Sequence, residues 1–426
     1  MQIRVIPLAV LVAAVASVPS SLRAQQAPRT LPAPQAEFEE PFSSVGVGAI
    51  RELRDGRVIV ADPRDKIVSV IDFRSGSAAS VGREGSGPQE FAMPLRLYAA
   101  PGDTTLLFDP LNSRYLVIGP DAKPVSTFRL EDEAPRRPQT PPPGQGRPQG
   151  GPQIVMGGLG FSPRATDARG RMYGEGSPIS PGPDGPVIAD SVPLIRFDRG
   201  TRRMDTLTYI TLPKSNTQMS GGGGNMRVSI GGANPLAPRD EWAVFPDGRV
   251  AVARAATYQI EFIAPDGGKR SGPRIAYTPV RMNAAEIRYE EGLRNAARAN
   301  QMSISITNNN GQMSRSAQMG PGANAPPLEP LTDWPEVKPP FRSGMASVMA
   351  RPNGELWVRR TENAQARGTL YDVINAQGTV AFQVRLEDGV TLVGFGNNTI
   401  YTTRKDEDDL VYLRRHAAGE MPLRGN

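Results

Sequence analysis

The chain has 426 residues, no cysteine and a single histidine, His416. The missing cysteine excludes disulfides, thiolate metal sites and cysteine nucleophiles. A lone histidine excludes a zinc site built from several histidines of this chain and makes a Ser/His/Asp triad hard to assemble. Aromatic residues are few, at 6%. Beyond Val18 no apolar run approaches the roughly 18 residues that a membrane-spanning helix requires. Hydrophobic residues make up 38%, enough for a lean core. Glycine (45) and proline (42) are abundant, together about a fifth of the chain. Average usage gives roughly an eighth, so the excess points to many turns.

The N-terminus reads as a secretory signal. Arg4 supplies the positive charge, and Val5–Val18 is apolar but for Ser17. Small residues follow, up to Leu22-Arg23-Ala24. Fourteen helical residues rise about 21 Å, short of a roughly 30 Å hydrocarbon core, which argues against an anchor. Cleavage is expected between Ala24 and Gln25, with Ala16 as a second possibility. Residues 1–24 are then signal, and residues 25–36 form a flexible leader. Loss of Arg4 and Arg23 would lower the formal charge from +6 to +4. Such mild basicity over a large surface is no nucleic-acid footprint. An exported chain without cysteine fits a bacterial periplasmic or extracellular protein.

A turn followed by a β-type strand recurs six times. The copies are Asp55–Val60, Gly102–Leu107, Arg169–Tyr173, Asp247–Val252, Asn353–Val358 and Gly396–Tyr401. Asx-Gly turns leading into such strands are strong hairpin signals. Further strands are expected at Ile67–Phe73, Tyr115–Ile118, Gln259–Ile263, Thr369–Ile374 and Leu410–Leu413. Four short antiparallel strands per unit, repeated radially, make a β-propeller blade. The predicted fold is therefore an all-β, six-bladed propeller of four-stranded blades over residues 37–416, followed by a tail, 417–426. Glu37–Phe42 is expected to add the missing strand of the last blade and so remove a sheet edge.

Spacing between units is uneven because of three insertions. Residues 134–153 hold seven prolines and four glycines, a composition that cannot bury enough surface to offset its ordering entropy. Residues 219–238 are glycine-rich. Residues 279–340 begin with a predicted helix. Asn283 is placed to cap it, with Glu286 in the reciprocal position and Glu290 and Arg294 at i,i+4 spacing. Ser303–Gly322 follows, polar and expected to be mobile.

Residues Val81–Gly119 carry a more particular pattern. Val81-Gly82-Arg83-Glu84-Gly85-Ser86-Gly87-Pro88-Gln89-Glu90-Phe91-Ala92-Met93-Pro94 leads into a strand. Gly102-Asp103, a strand ending in Asp109, and Asn112-Ser113-Arg114 come next. This resembles the NHL repeat of six-bladed propellers in secreted bacterial proteins. Val58–Phe73 matches in part, with Asp62 and Asp65 in the Asp and Asn places. The resemblance implies the fold. It leaves function open, because such propellers include lyases, lactonases, RNA binders and protein-binding scaffolds.

Most candidate sites have a plain structural explanation. Gly82–Phe91 lacks the Lys-Ser/Thr ending of a phosphate loop and reads as a turn that packs Phe91 inside. Asp62 and Asp109 read as acceptors for adjoining turns rather than metal ligands. Asp406–Asp409 lacks the alternating ligands of a calcium loop and reads as a hairpin turn. Trp242 and Trp357 read as core, Arg136, Arg137 and Arg147 as a basic linker, and His416 as exposed and idle. Trp334, in the third insertion, and Arg359 and Arg360, after the fifth unit, are the candidates for a ligand-binding face.

The expected function is that of an exported, non-enzymatic, monomeric scaffold. It would bind a protein, peptide or glycan through one loop-bearing face, with no cofactor, nucleic acid or membrane anchor. The alternative is a divalent-metal lyase or lactonase in the central channel, with calcium as the candidate ion.

Overall fold

A computed structural model of the chain describes residues 27–133, 161–182, 185–213, 217–220, 227–230, 234–299, 302–309, 312–319, 328, 330–344 and 346–419. The expected signal and its cleavage pair Ala24 and Gln25, the first insertion at 134–153 and its arginines, and residues 420–426 lie outside these.

Six sheets stand around an axis as the blades of a propeller, five of them four-stranded and antiparallel and the fifth blade extended to five strands by a short parallel one. Their innermost strands are Ile50–Glu52, Arg96–Ala100, Phe161–Thr166, Glu241–Val244, Val348–Ala350 and Val390–Phe395. The second strands are Val58–Asp62, Thr104–Asp109, Met172–Gly176, Val250–Arg254, Leu356–Arg359 and Thr399–Lys405. Each of these lies in or directly after one of the six repeated turn-strand units. Two third strands, Gln259–Ile263 and Thr369–Ile374, have the expected bounds.

The second strands are legible because both of their faces are buried. Neighbours on a strand point to opposite sides. In blade 1, Val58 and Val60 pack toward blade 6, and Ile59 and Ala61 pack toward blade 2. In blade 4, Val250 and Val252 face blade 3, while Ala251 and Ala253 face blade 5. The apolar side chains accordingly form six clusters, one at each junction between adjacent blades. Trp357 is fully buried between blades 5 and 6, and Trp242 lies between blades 3 and 4.

The turns ahead of these strands have a steric requirement. Gly248 sits at φ +89°. A Cβ there would also collide with the Arg171 guanidinium, which bonds Asp167 through Nε at 2.6 Å.

The ring is closed by the N-terminal segment, three residues earlier than expected. Pro34–Glu37 is the outermost strand of blade 6, paired antiparallel with Val411–Ala417. The pairing continues where Phe38 N donates to Leu413 O and Phe42 bridges to Val411. The expected flexible leader is thus structured from Arg29 onward. Arg29–Thr30 lies parallel to the outer strand of blade 5, Val380–Leu386. The last strand likewise runs through Ala417, into the expected tail. His416 belongs to that strand and is buried, not exposed. Its ring nitrogens meet Thr402 Oγ1 and Pro32 O, each at 2.8 Å.

Two insertions carry more order than their composition implied. Thr217–Ser220 pairs with Arg227–Ile230, and Met302–Asn309 with Gln312–Met319, as antiparallel hairpins. A third hairpin, Ile179–Gly182 with Gly185–Ile188, is set between the second and third strands of blade 3. The helix Ala284–Ala299 forms as predicted. Asn283 Oδ1 caps it, accepting from Ala285 N and Glu286 N.

Candidate functional site: the loop-bearing face

Strand order fixes which connections share a face. In a four-stranded antiparallel blade, the link from second to third strand and the link to the next blade emerge on one side. All three insertions are links between blades: 128 to 161, 211 to 241 and 274 to 348. The extra hairpin of blade 3 is a second-to-third link. All four excursions therefore rise from the same face. The opposite face has only short turns.

The roots of the three insertions meet in a closed ring of charges. Arg164 lies on the innermost strand that follows the first insertion, and Arg239 and Glu241 end the second. Glu175 comes from the second strand of blade 3, and Gly344 from the return of the third insertion. Arg164 bonds Glu175 at 2.7 Å and Glu241 at 3.2 Å. Arg239 bonds Glu241 at 3.3 Å and also pairs with Glu175. Two further donors complete the set: Trp242 Nε1 to Glu175 at 2.7 Å, and Gly344 N to Glu241 at 2.8 Å. The Arg164 guanidinium lies 4.8 Å from the Trp242 ring centre, a cation–π distance.

Burial pushes the Glu241 carboxyl above its ordinary range, against the pull of Arg164, Gly344 N and Arg239. Glu175 is pushed the same way by burial, but Arg239 and Arg164 outweigh it and hold this carboxyl below its ordinary range. Sequence reading missed this quartet, because its members come from strands many residues apart. The signal available was the charged run Arg239-Asp240-Glu241 directly before the apolar part of a strand.

A second cluster docks the inserted helix. Lys338 Nζ is buried and lies 2.7 Å from both Glu286 and Glu290. Arg342 also bonds Glu290, and both Glu286 oxygens accept from Ala364 N at 3.0 Å. Glu286 and Glu290, placed by the sequence as reciprocal cap and as i,i+4 neighbour of Arg294, both serve in this tertiary anchor. The helix buries Glu286 and Glu290 and leaves Tyr289 and Leu293 exposed.

The predicted ligand-face residues have three different settings. Trp334 is half-buried, and its indole Nε1 is enclosed with no hydrogen-bond partner among the described residues. Beside it, Asp333 O accepts from Asn234 Nδ2 at 2.8 Å, which ties the second insertion to the third. Arg360 is withdrawn from the surface: it pairs with buried Asp372 at 3.0 Å and lies over the Tyr258 and Tyr277 rings. Arg359 is half-buried, and its backbone N donates to Ser347 O at 2.8 Å.

The Gly-rich loop is held structurally. Arg114 Nη2 donates to Gly87 O and Glu90 O, Asn112 Nδ2 donates to Gly85 O, and Phe91 is buried. Asp109 accepts from Ala92 N, Met93 N and Asn112 Nδ2, and Asp62 from Ser43 N, Ser44 N, Arg64 N and Asp65 N. Asp240 plays the same part in blade 4, accepting from Thr211 N and Ala255 N. In the acidic turn, Asp406 Oδ1 accepts from Asp408 N and Leu410 N.

The six innermost strands carry two carboxylates, Glu241 and Glu52. They lie at opposite ends of their strands and hence near opposite faces. Glu241 is held by two guanidinium groups and an amide. Glu52 is held by Asn397 N and the Thr399 and Tyr401 hydroxyls. A divalent ion would need several such oxygens converging.

No protein family model matches the chain, and no curated protein does. Similar solved structures exist. A member of the DUF4221 family from Bacteroides vulgatus is 10% identical with a TM-score of 0.41, over 92% of this chain and 95% of that one. An exported protein from Bacteroides fragilis, so described provisionally, is 10% identical with a TM-score of 0.42, over 90% and 94%. A gluconolactonase from Xanthomonas campestris is 9% identical with a TM-score of 0.37, over 92% and 97%.

Proposed function

We propose that this protein is an exported, monomeric, non-enzymatic propeller that binds a protein, peptide or glycan partner through its loop-bearing face. One observation carries the reading: every long excursion rises from that face, over a charge quartet that ties together the roots of three of them. Binding residues concentrate on loops that a rigid scaffold positions. Trp334, beside the contact between the second and third insertions, is the binding residue this reading favours. Export rests on the apolar N-terminal run followed by small residues. Among the described residues no helix is long and apolar enough to cross a membrane.

The lyase or lactonase reading has less support. The carboxylate beside the loop-side mouth of the channel is already neutralised by Arg164 and Arg239, so a cation would have to displace both.

A photo-crosslinking amino acid at Tyr289 or Leu293, compared with one at Asp55 or Asp247 in the short turns, tests the reading in the cells that make the protein. Adducts are expected from the first pair alone. Adducts from the turn positions at equal yield would sink it. A stoichiometric divalent ion in the purified protein would reopen the channel chemistry.

A further inference from the structure

The chain has one histidine, and the fold places it at the joint that closes the ring. His416 lies opposite Pro34 of the closing strand, with Nδ1 donating to Pro32 O and Nε2 accepting from the Thr402 hydroxyl. Both nitrogens are thus used by the neutral ring in one tautomer. Pro32 and Pro34 belong to the N-terminal strap, residues 27–42, so lifting the strap would give the ring to water.

We propose that His416 is a proton-operated catch on this strap. The neutral imidazole holds residues 27–42 across blades 5 and 6, and its protonation favours the open strap.

The argument is a difference in proton affinity between two states. In the closed state the imidazolium is disfavoured by burial, the largest cause, and by Arg414 two residues before it on the strand. Pro32 O and Glu387 act the other way, and the net direction is downward. In the open state the ring regains water and an ordinary affinity near 6.5. A histidine depressed in the closed state supports closure fully above that value. The support is lost as pH falls below 6.5 toward the closed-state pKa.

The surrounding charges do not reverse this sign. Arg414 and Arg415 directly precede His416 on its own strand. Thr402 faces it from the neighbouring strand, with Arg404 two residues along. From the strap, Glu37 is engaged by both Arg404 and Arg414. Beyond the strand end, Arg351 donates to Ala418 O at 2.7 Å. Glu37 is itself held below its ordinary pKa, first by the Arg404 hydrogen bond. Its contribution is therefore lost in a separate and more acidic window.

Hydrogen exchange at the Phe38 and Phe42 amides, both bonded to the last strand, reads strap opening directly. Corrected for intrinsic rates, their opening equilibrium is expected to rise between pH 7.5 and 5.5, by at most about tenfold per unit below 6.5 for one proton. Amides of blade 3 should not follow. His416→Gln, which cannot titrate, should abolish the dependence. Opening that rises equally in every blade, or persists unchanged in the variant, would overturn the proposal. If the variant does not fold, the wild-type protein still decides the matter. Its single imidazole resonance must titrate below 6.5, and a midpoint at or above that value is fatal to the idea.

Discussion

Gly56 and Gly248 occupy the same turn in blades 1 and 4, with φ at +88° and +89°. Their surroundings differ. Around Gly56 an added Cβ meets open space, whereas at Gly248 it meets Arg171, Asp167 and Tyr173. Gly56→Ala should therefore cost only the backbone term, about 1–2 kcal/mol. Gly248→Ala should cost visibly more, because the buried Arg171–Asp167 pair must also move. Urea denaturation of the two variants checks the order. Equal losses would mean that the pair yields freely. The Gly56 and Gly248 turns were legible in the sequence, since an Asx-Gly step is a local signal. The charge around Gly248 was not, because Arg171 arrives from the neighbouring blade. His416 was misread for a related reason: its burial comes from proline residues almost four hundred positions earlier.

Among the larger elements, the helix Ala284–Ala299 shows how tertiary contacts redirect local propensity. Its start followed from Asn283, whose side chain caps it as expected. Its orientation did not follow. A predicted helix is normally placed with its apolar residues inward, yet here Glu286 and Glu290 point inward because Lys338 waits beneath them. Lys338→Met would leave two buried carboxylates without their shared cation, a loss of about 3–5 kcal/mol. The loss should be local. Proteolysis between 281 and 330 should speed up while the thermal transition of the blades stays near that of the wild type. A lowered transition with no change in cleavage would mean that the helix supports the blades rather than rests on them. Strands showed the converse. The second strand of each blade was readable because a turn announces it and most of its residues are buried. Ser77–Ser80, the exposed outer strand of blade 1, has no such pattern and escaped the sequence reading.

For the whole molecule, the six inter-blade clusters carry the stability, and the hairpin Met302–Asn309 with Gln312–Met319 stands outside the strand order of the ring. Replacing residues 302–319 by a short Gly-Ser link should shift unfolding free energy by less than about 1 kcal/mol, since loop length enters only logarithmically. A large loss in a denaturant titration would show that this hairpin braces the blades. Ring architecture and blade count were legible from the repeated units alone. The common face of the insertions was implicit in the same reading, because once strands are numbered the side from which each link leaves is determined. What could not be read were the contacts between insertions, such as Asn234 with Asp333, which depend on where separate loops fold back.

The closing strand has a consequence in time as well as in space. Glu37 and its partner Arg414 are 377 positions apart in the chain. A ribosome therefore makes the strap several hundred residues before the strand it pairs with. Throughout that interval the strap lacks its partner strand, and the edge strand of an unfinished sheet invites pairing with other chains. The blades can form one after another as the polypeptide lengthens, but the circle cannot. Its completion must wait for Val411–Ala417 and joins segments made far apart in time.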